Sequence, residues 1–118
     1  MGEDTANTLE QLMHCLCSNE ARELVVSLQK ALTNAKAMPP EHGGDGEAVK
    51  AAFLESWLTQ HDLVDTITHC DADDPRVSTG IRPNILCTRN GTDPQTLWIF
   101  GHMDVVGAGD RSAWQTDP

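Results

Sequence analysis

The sequence feature that most limits the fold is the continuous apolar run from Thr96 to Phe100, which reads TLWIF. A run this apolar suits a strand that is covered on both faces, as in the interior of an α/β sheet. Such a strand needs neighbouring strands on both sides and helices on both faces. The rest of the chain supplies too few elements for that environment. We therefore expect this sequence to be part of a larger domain.

The first third of the chain has the spacing of amphipathic helices. Two sets of apolar residues recur at helical intervals, namely Leu9, Leu12, Met13, Leu16 and then Ala21, Leu24, Val25, Leu28, Leu32. Asn7 followed by Glu10 resembles a capping pair that would open the first set. The pattern predicts either one long helix or two short helices that meet near Ser18-Asn19.

A loop and a further helix follow. The stretch from Met38 to Gly46, MPPEHGGDG, combines a Pro pair with three Gly and disfavours both helix and strand. Asp45 can cap the next helix. One side of that helix is predicted to be apolar, with Val49, Phe53, Trp57 and Leu58. The other side is predicted to face solvent, with Glu47, Lys50 and Glu55.

The sequence pattern in the second half of the chain predicts three strands. Val64 to Cys70 and Asn84 to Arg89 are the first two, and Thr96 to Phe100 is the third. The turn-rich residues 90–95 are short enough for an antiparallel hairpin between the last two. Helices followed by strands, with an apolar face on each helix to cover a sheet, predict an α/β layer fold.

Charge and cysteine content restrict the partners and the compartment. The 118 residues carry 8 Lys and Arg against 18 Asp and Glu, a net charge of −10. This balance argues against nucleic acid and anionic membranes as partners. The four cysteines, Cys15, Cys17, Cys70 and Cys87, lack the paired spacing of a zinc ribbon or a disulfide framework. We expect reduced, mostly buried thiols and a cytoplasmic protein.

The residues best suited to metal binding or catalysis follow the apolar run directly, in Gly101-His102-Met103-Asp104-Val105-Val106. In open α/β sheets, ligands gather at the carboxyl ends of strands. Alternation along extended backbone places His102 and Asp104 on one side. A metal-ligating His usually donates its second ring N–H to a carboxylate or carbonyl. The pair therefore suits a zinc ligand and its orienting carboxylate, although His-x-Asp on spacing alone is a weak signal.

The surrounding sequence strengthens that interpretation. Arg82-Pro83-Asn84-Ile85 is followed by LWIFGHMDVV, then by Gly109-Asp110, Trp114 and Thr116-Asp117-Pro118. This stretch closely resembles the co-catalytic zinc hydrolases that include aminoacylase, carboxypeptidase G, acetylornithine deacetylase and succinyl-diaminopimelate desuccinylase. The resemblance is weaker before Arg82. Gly107 departs from the family pattern, which commonly has Pro at that position.

The resemblance implies that residues 1–118 are the incomplete amino-terminal portion of a three-layer α/β/α zinc-peptidase catalytic domain with a mixed sheet. His102 corresponds to the family's first metal ligand, and Asp104 to the acidic residue counted with the catalytic set. Trp114 and Asp117 are expected to shape the loop that follows. The implied cofactor is a pair of zinc ions, with cobalt or manganese as substitutes.

The implied reaction is hydrolysis of an amide in an N-acyl amino acid or small peptide. The bridging Asp, the Glu-Glu pair, a further acidic ligand and a late His of the family would follow Pro118. A smaller domain of the family, often used for a homodimer, would also lie outside this sequence. Since catalytic zinc needs about three protein ligands, we expect the 118 residues alone to be inactive. The other histidines, His14, His42, His61 and His69, are expected to be exposed or satisfied polar groups.

Two other classes of protein compete with the hydrolase. One is a non-catalytic acidic α/β module that binds a partner, in which His102 and Asp104 are ordinary polar residues. The other is a redox or metal-binding module built on Cys15, Cys17 and His14. Residues two apart on a helix face different sides, so the two thiols cannot readily share a metal.

Overall fold

The computed structural model describes residues 2–117. The chain divides after Asn34 into two compact units. We call residues up to Asn34 the helical unit and residues from Ala35 onward the mixed unit. None of the helices in the described part of the chain is long and apolar enough to cross a membrane.

The helical unit contains two helices, α1 (Gly2–Leu16) and α2 (Asn19–Asn34). The chain turns at Ser18, whose hydroxyl oxygen accepts a hydrogen bond from the Ala21 N–H at 3.0 Å and so caps α2. Two helices rather than one are therefore present. The predicted start at Asn7 is wrong, because α1 begins at Gly2 and no Pro or Gly between that residue and Asn7 interrupts it.

The mixed unit begins with the predicted loop, which contains a single 3₁₀ turn at Pro40–His42. Helix α3 follows at Ala48–Gln60. Asp45 does not cap this helix as predicted. Its Oδ1 instead accepts the Ser78 N–H at 2.6 Å, so the carboxylate ties the loop to a distant turn. Hydrogen bonds from the Ser78 hydroxyl and from its backbone N–H lower the pKa of Asp45.

Burial along α3 differs from the prediction. Glu47 at its N-cap is 5% exposed and Lys50 in its first turn is 6% exposed, whereas Val49 is 66% exposed. The prediction that these two charged residues face solvent is wrong. Each has a partner distant in sequence, the Arg82 guanidinium for Glu47 and the Met103 carbonyl for Lys50. A paired charge can be buried where an unpaired one cannot.

Within residues 2–117, four short strands form two antiparallel sheets. β1 (Thr66–His69) pairs with β4 (Ile85–Thr88), and β2 (Ala72–Asp73) pairs with β3 (Ile81–Arg82). The first two predicted strands are thus confirmed at their centres, with Ile67 opposite Cys87. The helices and sheets confirm the α/β class, while the three-layer architecture and the mixed sheet stay predictions.

The third predicted strand is absent from the described structure. Residues 96–100 have no regular secondary structure, and Leu97, Ile99 and Phe100 are 84%, 87% and 84% exposed. The predicted hairpin across residues 90–95 is also wrong, because β4 pairs with β1 instead. A strand is stabilised by hydrogen bonds to a neighbour, and no described strand pairs with this segment.

The core of the mixed unit is small. Its buried apolar residues include Ala37, Ala51 and Val77, at 0%, 2% and 4% exposure. The cysteines contribute little to it: Cys15, Cys17 and Cys70 are exposed, and Cys87 is half-buried. All four are unpaired thiols, as expected, but the prediction that they are mostly buried is wrong. Burial raises the pKa of the Cys87 thiol.

Candidate functional site

His102 and Asp104 form a direct contact. The His102 ring Nδ1 lies 3.0 Å from the Asp104 Oδ1 and 3.1 Å from the Asp104 carbonyl oxygen. Both atoms are acceptors, so Nδ1 carries the proton and donates to them. The unprotonated nitrogen of a neutral ring is then Nε2. The side chains are 84% and 52% exposed, which leaves the ring open to an incoming ligand.

The backbone on either side of Asp104 is hydrogen-bonded to residues that are distant in sequence. The Lys50 ammonium donates to the Met103 carbonyl at 3.0 Å, and the Val105 N–H donates to the Ala37 carbonyl at 3.0 Å. Both partners, Lys50 and Ala37, are buried. The His-x-Asp segment is therefore held in place although its preceding apolar run is exposed and irregular.

The contacts of His102 fit one metal ligand and not a whole metal centre. Its Nε2 can coordinate a divalent metal while a carboxylate holds Nδ1–H, which is the usual arrangement at zinc sites. A catalytic zinc takes three protein ligands and leaves a position for water. Among residues 2–117, no group of three His, Cys, Asp or Glu side chains is placed to hold a metal.

The other histidines have surroundings of their own. His69 is the most engaged of them, with Nε2 3.2 Å from the Glu55 carboxylate and Nδ1 3.3 Å from that of Asp71. His61 follows α3, and its Nδ1 lies 2.8 Å from the Trp57 carbonyl oxygen while its ring stacks on Trp57 at 4.4 Å between ring centroids. These two are satisfied polar groups, as predicted. His14 lies in α1 and His42 in the 3₁₀ turn, the positions that the sequence indicated.

The loop after the motif is ordered by its own side chains. Asp110 accepts hydrogen bonds from the Ser112 N–H and hydroxyl at 2.9 and 2.7 Å, at the start of a 3₁₀ turn at Arg111–Ala113. The Trp114 indole N–H donates to the Ala108 carbonyl at 2.8 Å. Asp117 forms an ion pair with Arg111. These contacts agree with the expected loop-shaping role of Trp114 and Asp117.

A network of charged residues near the start of α3 was not anticipated from the sequence. Arg82 pairs with Glu47, and its Nη1 lies 3.5 Å from the Asp74 Oδ2. Arg76 pairs with Asp74 at 2.7 Å and with Glu41. The Arg76 guanidinium, followed by that of Arg82, holds the pKa of the Asp74 carboxyl well below its usual range. The signal available in the sequence was the acidic turn before Pro75 and the two arginines that follow.

The chain is similar to two archaeal proteins. It is 31% identical over 96 residues to an uncharacterized metallohydrolase of Methanococcus maripaludis, a match that covers 79% of this chain and 23% of that protein. It is 30% identical over 99 residues to an uncharacterized metallohydrolase of Methanocaldococcus jannaschii, covering 81% of this chain and 24% of that protein. The chain thus spans about a quarter of the length of the curated relatives it matches.

No family model matches the chain. No solved structure matches it either.

Proposed function

We propose that this chain supplies the first metal ligand of a metal-dependent hydrolase. In this proposal His102 coordinates the metal through Nε2, and Asp104 orients the ring. The single observation that carries the proposal is the 3.0 Å contact between the His102 Nδ1 and the Asp104 carboxylate. The two relatives named metallohydrolases support it, because their similarity covers about four-fifths of the chain.

The two residues have distinct tasks in this function. Asp104 keeps the proton on the Nδ1 of His102, so that the lone pair of Nε2 is available to a cation. Its negative charge also makes the imidazole more basic and therefore a better metal ligand. A metal held by His102 would act as a Lewis acid and would favour ionisation of a water molecule at the site.

The finer identity of the function rests on the resemblance of the motif. We propose zinc as the metal, two ions in the complete site, and an amide of an N-acyl amino acid or small peptide as the substrate. The remaining ligands and the general base come from polypeptide beyond these 118 residues. Four unpaired cysteines support the cytoplasm as the proposed compartment.

The test uses the polypeptide encoded by the complete reading frame, with His102→Ala as the variant and His42→Ala as the control. His42 lies in the 3₁₀ turn and has no role in the proposed site. The purified proteins are analysed for bound metal and for hydrolysis of N-acetyl and N-succinyl amino acids. We expect His102→Ala to lose a metal ion and all hydrolysis, and the control to retain both. Normal metal content and turnover in His102→Ala would overturn the assignment of His102 as a metal ligand, whereas no metal and no hydrolysis in the unchanged polypeptide would favour a non-catalytic binding module.

A further inference from the structure

Lys50 makes an unusual contact for a lysine. It is 6% exposed, and its ammonium donates to the Met103 carbonyl at 3.0 Å across 53 residues of sequence. Lysines are almost never fully buried unless they are paired. Burying an ammonium costs free energy that only good hydrogen bonds offset. A methionine could fill the same space without that cost, so the position calls for an explanation based on what the ammonium holds.

The ammonium holds one of the two peptide groups that flank Asp104. The Met103 carbonyl belongs to the peptide that precedes the Asp104 Cα, and the Val105 N–H belongs to the peptide that follows it. Lys50 binds the first, and the buried Ala37 carbonyl binds the second at 3.0 Å. Each peptide group is planar. When both planes are fixed, the two backbone dihedrals of Asp104 are fixed with them.

The exposed His102–Asp104 pair depends on this backbone attachment. Neither side chain is buried, at 84% and 52% exposure, so packing against neighbours does not hold the pair. The apolar run before it is also exposed. The direction of the Asp104 carboxylate toward the ring is therefore set mainly by its backbone.

We propose that Lys50 is a positioning residue for the His102–Asp104 pair, acting through the Met103 carbonyl. The inference that this positioning serves metal binding rests on the proposed function, whereas the positioning itself does not. Lys50 touches neither metal nor substrate in this role. It restricts the peptide before Asp104, so that the carboxylate meets Nδ1 and the lone pair of Nε2 keeps one direction.

The first experiment measures amide hydrogen exchange in the 118-residue chain by nuclear magnetic resonance. Lys50→Met removes the donor and keeps the volume, and Lys36→Met is the control at an exposed lysine of the same unit. The reporter is the Val105 amide, bonded to Ala37. The reference amides are those of Asp65 and Cys70, bonded to the carbonyls of β4 and Asn84.

We expect the Val105 amide to exchange at least about tenfold faster in Lys50→Met, because the loss of a hydrogen bond to a charged group releases the peptide before Asp104. The two reference amides should keep their rates, and the control should match the unchanged protein. Long-range nitrogen spectra of the His102 ring should show a smaller population protonated at Nδ1 in Lys50→Met. Lys50→Arg keeps a donor, and recovery of Val105 protection in it would support the proposal.

Two results would overturn it. One is equal Val105 exchange in Lys50→Met and Lys36→Met. The other is faster exchange at the references to the same extent as at Val105, which would make Lys50 a general stabiliser of the unit. None of these measurements requires a metal. If they succeed while His102→Ala retains metal and turnover in the complete polypeptide, the proposed function fails and the positioning role of Lys50 stands.

Discussion

The Arg82 guanidinium lies against the Glu47 carboxylate, with Nε 2.5 Å from Oε2 and a second contact between Nη2 and Oε1. Glu47 is at the N-cap of α3, and Arg82 is in β3. The two-pronged contact is the favoured geometry of an arginine and a carboxylate. It attaches the start of α3 to the smaller sheet, and α3 in turn carries Lys50 to the Met103 carbonyl.

This pair gives the first prediction. Glu47→Ala should lower the free energy of unfolding of the mixed unit by about 2 kcal/mol, because it removes two hydrogen bonds to a charged group and leaves Arg82 without this partner. Urea titration followed by circular dichroism measures the change. The control is Glu41→Ala, at a carboxylate that is 53% exposed and pairs with Arg76. Surface pairs contribute little, so an equal loss in both variants would contradict the assigned role of Glu47.

The second prediction concerns acid pH. The Arg76 and Arg82 guanidiniums lower the pKa of Asp74 in the folded chain. The unfolded chain therefore binds more protons than the folded chain below about pH 4, and stability falls as the pH falls through that range. Asp74→Asn should be less stable than the unchanged chain at pH 7, and the difference should shrink toward pH 2. Thermal unfolding at several pH values tests this. The control is Asp73→Asn, at the exposed neighbouring carboxylate, which should leave the stability at pH 7 nearly unchanged.

The third prediction concerns Gly46, which has φ of +79° just before α3. Gly80 has a similar φ of +74°. A Cβ on Gly46 would lie 3.1 Å from the Val77 Cγ1, whereas one on Gly80 meets nothing within 4 Å. Both alanine variants bear the cost of the left-handed conformation, about 1 to 2 kcal/mol. Gly46→Ala should lose more stability than Gly80→Ala in urea titration, and equal losses would show that Val77 yields freely.

Local patterns in the sequence predicted the elements well, and pairing between distant segments less well. The strands around Ile67 and Cys87 were predicted from β-branched residues, but not that they pair with each other. The helix that contains Lys50 was predicted, but the burial of the Lys50 side chain was not. That burial depends on the Met103 carbonyl, 53 residues away, which helical periodicity cannot reveal. The contact of His102 with Asp104 was predictable because the residues are two apart in sequence. The apolar run was misassigned because a strand also requires a neighbour.

The exposed apolar run gives the fourth prediction. Ile99 is 87% exposed, and Trp98 stacks on Phe100 at 5.8 Å. Exposed apolar segments with high β-propensity promote self-association. Ile99→Lys should reduce light scattering by the 118-residue chain and leave its unfolding midpoint in urea unchanged. The matched control is Ile67→Lys within β1, which should lower that midpoint. A similar loss of stability in Ile99→Lys would show that residue 99 is packed.

The fifth prediction is that the 118-residue chain binds zinc only weakly and turns over no N-acyl amino acid. One imidazole nitrogen with a supporting carboxylate falls short of the three protein ligands that a catalytic zinc requires. Dialysis against zinc followed by metal analysis should recover far less than one ion per chain. Tight stoichiometric zinc in the 118-residue chain, lost in His102→Ala, would mean that residues outside the His102–Asp104 pair complete a site within this sequence.

In the complete polypeptide, by contrast, Asp104→Asn should weaken metal binding about 10-fold to 100-fold, because the ring loses its orienting carboxylate.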